Sequence, residues 1–255
     1  MPRVGREKSE SGVYHVMMRG INRQDIFFDV EDKEKFIEIL LRYKPVCEYN
    51  IYGYCLMSNH IHLLIKEEKE TVSQVIKRIG VSYVHWYNMK YERCGHLFQG
   101  RFKSENVEDD RYLLVVLRYI HQNPVKAGII EEAAKYRWSS YAEYVSQKPF
   151  VTDIDLVLDL LHPNRKEAVA MFKEFMIKEN EDKCLGYESY KEKRMSDKDV
   201  RQLIQKLIKS DDIQVIQQMS RNERNKALRH LKEMDISIRQ LARVTGLGRR
   251  IIEKA

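Results

Sequence analysis

The sequence contains no apolar run of the roughly 18 residues that a membrane-spanning helix requires. Its opening residues, Met1-Pro2-Arg3-Val4-Gly5-Arg6, lack the apolar core of a secretion signal. A cytoplasmic location with no membrane partner is the corresponding expectation. Cysteine is scarce: Cys47, Cys55, Cys94 and Cys184 are scattered without any Cys-x-x-Cys spacing, so neither a disulfide framework nor a structural zinc site is indicated. Cys94-Gly95-His96 offers two neighbouring ligands, which coincidence explains. No glycine-rich loop of the kind that cradles nucleotide phosphates occurs, so ATP-driven chemistry is not expected.

What is present is a chain of 255 residues, 43% hydrophobic and 33% charged, enough to bury a substantial core in one large or two small domains. The formal charge of +7 is unevenly placed. Residues 196–255 hold 14 Lys/Arg and 8 Asp/Glu, a balance of +6, which leaves +1 for residues 1–195. A basic C-terminal part points to a polyanionic partner, most often nucleic acid.

The most informative stretch is Asn59-His60-Ile61-His62-Leu63-Leu64-Ile65-Lys66. Its period-two alternation predicts a β-strand with Ile61, Leu63 and Ile65 on one face and His60 and His62 on the other, about 7 Å apart along the strand. Two imidazoles on one strand face make a pair of metal ligands. Alone, a His-x-His pair is equally two ordinary strand histidines. A second stretch, Leu117-Arg118-Tyr119-Ile120-His121-Gln122-Asn123-Pro124, adds to it. On a helix Tyr119 and Asn123 are an i, i+4 pair emerging on one face, a nucleophile beside an oxygen ligand for a metal. His121 points elsewhere by the helical period and is not expected to be a ligand. Singly, Tyr119 is one of 15 tyrosines and Asn123 reads equally as a helix cap before Pro124.

In chain order the pattern predicts a strand at 12–20, a helix from 29 to about 47 ending near Pro45, a strand at 50–57, the histidine strand, a helix from 71 to about 92, a strand at 98–107 and a helix from 109 to about 122. This β-α-β-β-α-β order predicts an α+β, ferredoxin-like domain with an antiparallel sheet, in which the second and third helices share one face. Beyond Ser146-Gln147-Lys148-Pro149, which reads as a linker, the pattern is helical throughout, giving an all-α C-terminal domain. The expected division is 1–145, a helical link over 146–195, and 196–255.

Five motifs in order, Tyr14-His15-Val16…Arg19-Gly20 with Asn22-Arg23, Ser58-Asn59-His60-Ile61-His62, Gln99-Gly100-Arg101-Phe102-Lys103, Arg118 to Gly128, and Trp138-Ser139-Ser140-Tyr141, closely resemble the single-tyrosine transposases of the HUH superfamily, most of all the REP-associated tyrosine transposases. The resemblance covers residues 10–145. It implies cleavage and rejoining of single-stranded, hairpin-forming DNA through a 5′-phosphotyrosine, with Tyr119 as nucleophile, His60 and His62 as metal ligands and Asn123 where relatives place a third. It implies either a monomer or a homodimer. The residues fit that chemistry independently: a phenolate can split one phosphodiester transfer into two reversible steps, and a His2Asn donor set suits Mg²⁺ or Mn²⁺ better than structural zinc. Arg19, Arg23, Arg101 and Lys103 are candidates for backbone phosphates.

Residues 238–255 have the spacing of a helix-turn-helix, with Ala242 at the helix crossing, Gly246 in the turn, and Leu247 and Ile252 buried. They resemble the duplex-reading domain of replication initiators. Arg249 and Arg250 would open the recognition helix, with duplex DNA as a further partner. The competing class is a non-catalytic DNA-binding regulator of the same fold, which has no need of His60, His62 and Tyr119 together. A metallohydrolase using the histidines alone would not need Tyr119.

Overall fold

Alternating apolar residues build four strands, β1 (Val13–Arg19), β2 (Tyr49–Leu56), β3 (His60–Glu67) and β4 (Lys103–Asn106), which pair antiparallel in the order β2-β3-β1-β4. The structure, a computed structural model, describes residues 7–178, 180, 182, 184–185, 197–208, 210, 212–213, 215–234, 236 and 238–255. It divides into two compact units, Met1–Tyr190 and Lys191–Ala255.

Within the first unit, helix α1 (Val30–Cys47) joins β1 to β2 and helix α2 (Val72–Lys90) joins β3 to β4. Both start at reciprocal capping boxes, Asp29 with Asp32 and Thr71 with Gln74, which satisfy amide donors that a helix start otherwise leaves bare. Pro45 does not end α1. The helix runs two residues further, to the buried Cys47, and stops where Glu48 turns left-handed at φ 51°. A proline this close to the end forfeits one backbone bond, which packing of the last turn offsets. Helix α3 (Asp110–Lys126), capped by the Asp109 carboxylate on the Tyr112 amide, likewise passes Pro124 and ends at Lys126. β4 is shorter than its pattern suggested. Phe98 makes an isolated bridge to Gly20, but Gly100 at φ +63° breaks the run before Lys103.

The sheet separates two cores. Ile61, Leu63 and Ile65 of β3 and Val16 and Met18 of β1 pack under α1 and α2, against Phe36, Ile39, Val75, Ile79 and Tyr83. Leu64 and Val13 face the opposite side and meet Leu113, Val116, Leu117 and Ile120 of α3. The second and third helices therefore lie on opposite faces, not on a shared one. β1-α1-β2 and β3-α2-β4 are both crossovers between parallel strands, and the common hand of such crossovers puts α1 and α2 together. α3 lies after the last strand and is free to cover the other face. It sits close: a Cβ on Gly53 of β2 would stand 2.4 Å from Leu117 Cδ1.

Residues 146–195 read from the sequence as a link, but those described as far as residue 178 are fastened to this unit. Helices α4 (Tyr141–Ser146), α5 (Asp155–Leu161) and α6 (Arg165–Ile177) extend the α3 core through Tyr144, Val157, Leu158 and Phe172. The Glu143 carboxylate accepts the backbone N–H groups of Phe150, Val151 and Thr152, and Asp153 accepts that of Ile51. The described part of the second unit comprises α7 (Asp197–Ile208), α8 (Val215–Gln218), α9 (Arg221–Glu233), α10 (Ile238–Thr245) and α11 (Arg249–Glu253) around Val200, Ile204, Leu228, Leu231, Leu241 and Ile252.

Candidate active site

Because β3 alternates, His60 and His62 leave the α1/α2 core and turn toward α3, where Tyr119 and Asn123 come down from one helical face. The structure brings these four side chains together. The His60 and His62 rings lie 5.0 Å apart between centroids, and Tyr119 stands 5.7 Å from the His62 ring. Asn123 Oδ1 is 3.2 Å from His60 Nε2. His121 is directed away, into the α4–α6 core, with Nε2 2.7 Å from Ser140 Oγ.

Two further residues, which single-sequence patterning missed, complete the site. His15 on β1 sits beside His62, its Nε2 2.9 Å from His62 Nδ1. Glu105 on β4 stands opposite His15, with Oε2 3.4 Å from His15 Nδ1. Only strand pairing brings these residues to β3. The sequence placed His15 in the Tyr14-His15-Val16 motif, which pointed to no partner for it.

Burial governs the electrostatics. It lowers the His60 ring to about 4, with the Arg19 guanidinium adding to the effect, and the Asn123 contact opposing it. His62 is pushed well down by burial and then by His60 and His15, and His15 is lowered by burial against the pull of Glu105. All three shifts favour the neutral ring, which keeps a nitrogen lone pair. Burial pushes the Tyr119 phenol up, while the Asn123 carboxamide and Arg19 pull it back.

The arrangement suits a divalent cation. Asn59 Nδ2 donates to the Arg23 carbonyl, which turns Asn59 Oδ1 to His60 Nδ1 at 2.6 Å. The His60 Nδ1 must then hold the hydrogen, leaving a lone pair on Nε2 that faces the oxygen of Asn123. Two lone pairs in that position repel one another unless a cation lies between them. His62 Nε2 is buried with no hydrogen-bond partner. No group of three or more His, Cys, Asp or Glu arranged for a metal occurs among the described residues; a third donor beside His60 and His62 would be the Asn123 carboxamide.

Asn180 and Asp182 bond side chains of α3. Asp182 takes both Nε and Nη2 of Arg118 at 2.9 and 3.0 Å, and Asn180 bonds Gln122 and Lys126. Tyr119 is 0% exposed, with Lys126 Nζ 5.4 Å above its ring. Of the cationic candidates, Arg19 and Arg101 line one cavity of about 650 Å³ floored by Phe98 and Phe102, and Arg23 adjoins His60 through Asn59. Lys103 is exposed on β4. In the second unit Gly246, at φ +72°, joins α10 to α11, and Leu247 and Ile252 are buried. Arg250 is exposed, and the side chain of Arg249 lies outside the described residues.

Residues 8–123 match the family described as transposase IS200-like. A protein of Haemophilus influenzae (strain ATCC 51907 / DSM 11121 / KW20 / Rd) described as a REP-associated tyrosine transposase is 27% identical over 126 residues, which span 44% of this chain and 71% of the relative. A solved structure of a REP-associated tyrosine transposase bound to a REP hairpin shares the fold, with a TM-score of 0.51 at 16% identity, covering 61% of this chain and 96% of its own. Over residues 8–123 this chain is similar to the IS200-like transposases, and a REP-associated tyrosine transposase is among the proteins it resembles.

Proposed function

We propose that the protein is a DNA transposase that cuts and rejoins single-stranded, hairpin-forming DNA through a covalent bond to Tyr119. The observation that carries this is the meeting of Tyr119 and Asn123 with His60 and His62, with His62 Nε2 buried and unpartnered beside them. The hairpin partner rests on the relative solved with a REP hairpin.

In this reading Tyr119 Oη, having lost its proton, attacks the scissile phosphorus. The bond to the 3′ oxygen breaks, a free 3′ hydroxyl departs, and the phosphate remains on Tyr119 as a 5′-phosphotyrosine. A 3′ hydroxyl attacking in the reverse sense restores the phosphodiester and frees the tyrosine, so the bond energy is kept. Burial opposes the phenolate, and Arg19 and Asn123 favour it. His60, His62 and Asn123 would hold Mg²⁺ or Mn²⁺. When bound there, such an ion would supply charge that polarises the phosphate and stabilises the leaving oxygen. Arg19, Arg23, Arg101 and Lys103 bind backbone phosphates on either side. The C-terminal helices add a helix-turn-helix contact to duplex DNA, with Arg249 and Arg250 at the start of α11.

The deciding experiment incubates the protein with labelled hairpin DNA and Mn²⁺ and looks for an adduct that survives SDS. Wild type forms it, and Tyr119→Phe, which removes one oxygen, binds the DNA without forming it. An adduct in the Phe variant makes another tyrosine the nucleophile. No adduct in either protein leaves a non-catalytic DNA-binding regulator.

A further inference from the structure

We propose that Glu105, acting through His15, sets the tautomer of His62 and so presents the Nε2 lone pair of that ring to the site. The nuclease reading enters only in what that lone pair is used for. The three side chains form a line across three adjacent strands. β1 lies between β3 and β4, and His15 on it reaches His62 on one side and Glu105 on the other.

The direction of the line follows from counting hydrogens. Glu105 is a carboxylate with none to give: burial works against the charge, but His15, the Tyr112 hydroxyl and the Leu185 amide hold its carboxyl below the usual range. His15 Nδ1, facing it, therefore carries the ring's single hydrogen. His15 Nε2 is left as an acceptor. The hydrogen in its 2.9 Å contact with His62 must then sit on His62 Nδ1. His62 Nε2 is left bare and has no hydrogen-bond partner; His15 Nδ1 also lacks one within hydrogen-bond geometry, and what orients it is the Glu105 carboxylate at 3.4 Å. Both rings are fully buried from bulk solvent.

The carboxylate is itself held. Tyr112 Oη donates to Glu105 Oε1 at 2.6 Å and the Leu185 amide donates to Oε2 at 2.9 Å. Glu105 is a positioning residue: neither it nor His15 touches the reacting atoms. Chains of this kind, in which a carboxylate orients a liganding histidine, fix the ring and raise its basicity. Here a second imidazole is inserted between the two.

The test uses the full chain without metal, with ¹⁵N-labelled histidine, at neutral pH. Nitrogen shifts separate a protonated ring nitrogen from a bare one. Wild type is expected to show His62 protonated at Nδ1 and bare at Nε2. Glu105→Gln puts an amide donor where the carboxylate stood, so part of the His62 population moves to the Nε2–H form. Mn²⁺ affinity, read by electron paramagnetic resonance, falls by roughly 10- to 100-fold. Tyr112→Phe keeps the carboxylate but removes one of its two donors, so it is expected to move both readouts less than Glu105→Gln does. His62 protonated at Nε2 in wild type overturns the proposal without any variant having to fold. Unchanged tautomers in Glu105→Gln overturn it too. Wild type with the expected tautomers but no Mn²⁺ binding upholds the proposal and defeats the nuclease reading.

Discussion

Removing the imidazole of His62 takes away the nitrogen that the fold leaves buried and unpartnered. His62→Ala is therefore expected to reduce Mn²⁺-dependent adduct formation below detection while the protein stays folded. It loses roughly 1–3 kcal/mol, because His15 Nε2 is left without its contact. Asn123→Ala is expected to shift the Mn²⁺ dependence to higher concentration with less loss, since water can replace one oxygen ligand. Adduct yield against Mn²⁺ concentration, with an EDTA control, checks both, and full activity in EDTA removes the metal from the mechanism. Spacing inside one element made these residues legible. His60 and His62 share a face by strand period, and Tyr119 and Asn123 by helical period. His15 and Glu105 were not legible, because their placement depends on which strand lies next to β3, and no local pattern encodes that neighbour.

Elements behaved in the same way: their existence was local, and their partners were not. The pattern of α6 was read as part of a link, yet Phe172 on it is buried and stacks on Tyr144 with centroids 4.7 Å apart and rings 17° from parallel. Helix amphipathicity says that one face is covered without saying by what. Phe172→Ala is expected to destabilise the first unit by about 3–5 kcal/mol in urea unfolding. A link with no role in packing would tolerate it. The same cause explains why α3 was assigned to the wrong face of the sheet. Its apolar stripe was visible, but the side it covers was settled by α1 and α2 already occupying the other.

For the whole molecule, four buried histidines set the response to acid. His15, His60, His62 and His121 are all held below the ordinary imidazole value by burial, His60 to about 4 and His121 to about 3. An unfolded chain binds protons at these positions near pH 6.5, while the folded one resists. Stability is therefore present above about pH 6.5 and is lost as pH falls toward 4, by roughly 1.4 kcal/mol per pH unit for each such group. Urea unfolding of metal-free protein at pH 7 and at pH 5 reads this, and equal stabilities would show the rings to be charged. Truncation tests the two units. A chain ending at Tyr190 keeps α4–α6 over α3, and is expected to fold and to cleave a short single-stranded substrate. It loses residues 191–255, which hold 17 Lys/Arg and 9 Asp/Glu, a balance of +8, so its binding to the native target should weaken and depend less on salt. Binding as tight and as salt-sensitive as that of the full chain would defeat a DNA-reading role for α7–α11. A chain ending at residue 145 strips the cover from Phe172's neighbours and is expected to aggregate.

The placement of Tyr119, 0% exposed with its hydroxyl buried, has a kinetic consequence. A phosphorus atom cannot approach an oxygen that has no open side, so uncovering must precede bond formation. The rate of adduct formation should then rise with DNA concentration only to a plateau equal to the rate of uncovering. Replacing the scissile oxygen by a better leaving group such as sulfur should not raise that plateau. A plateau that follows the leaving group would mean that bond breaking, and not access, limits the turnover of this tyrosine.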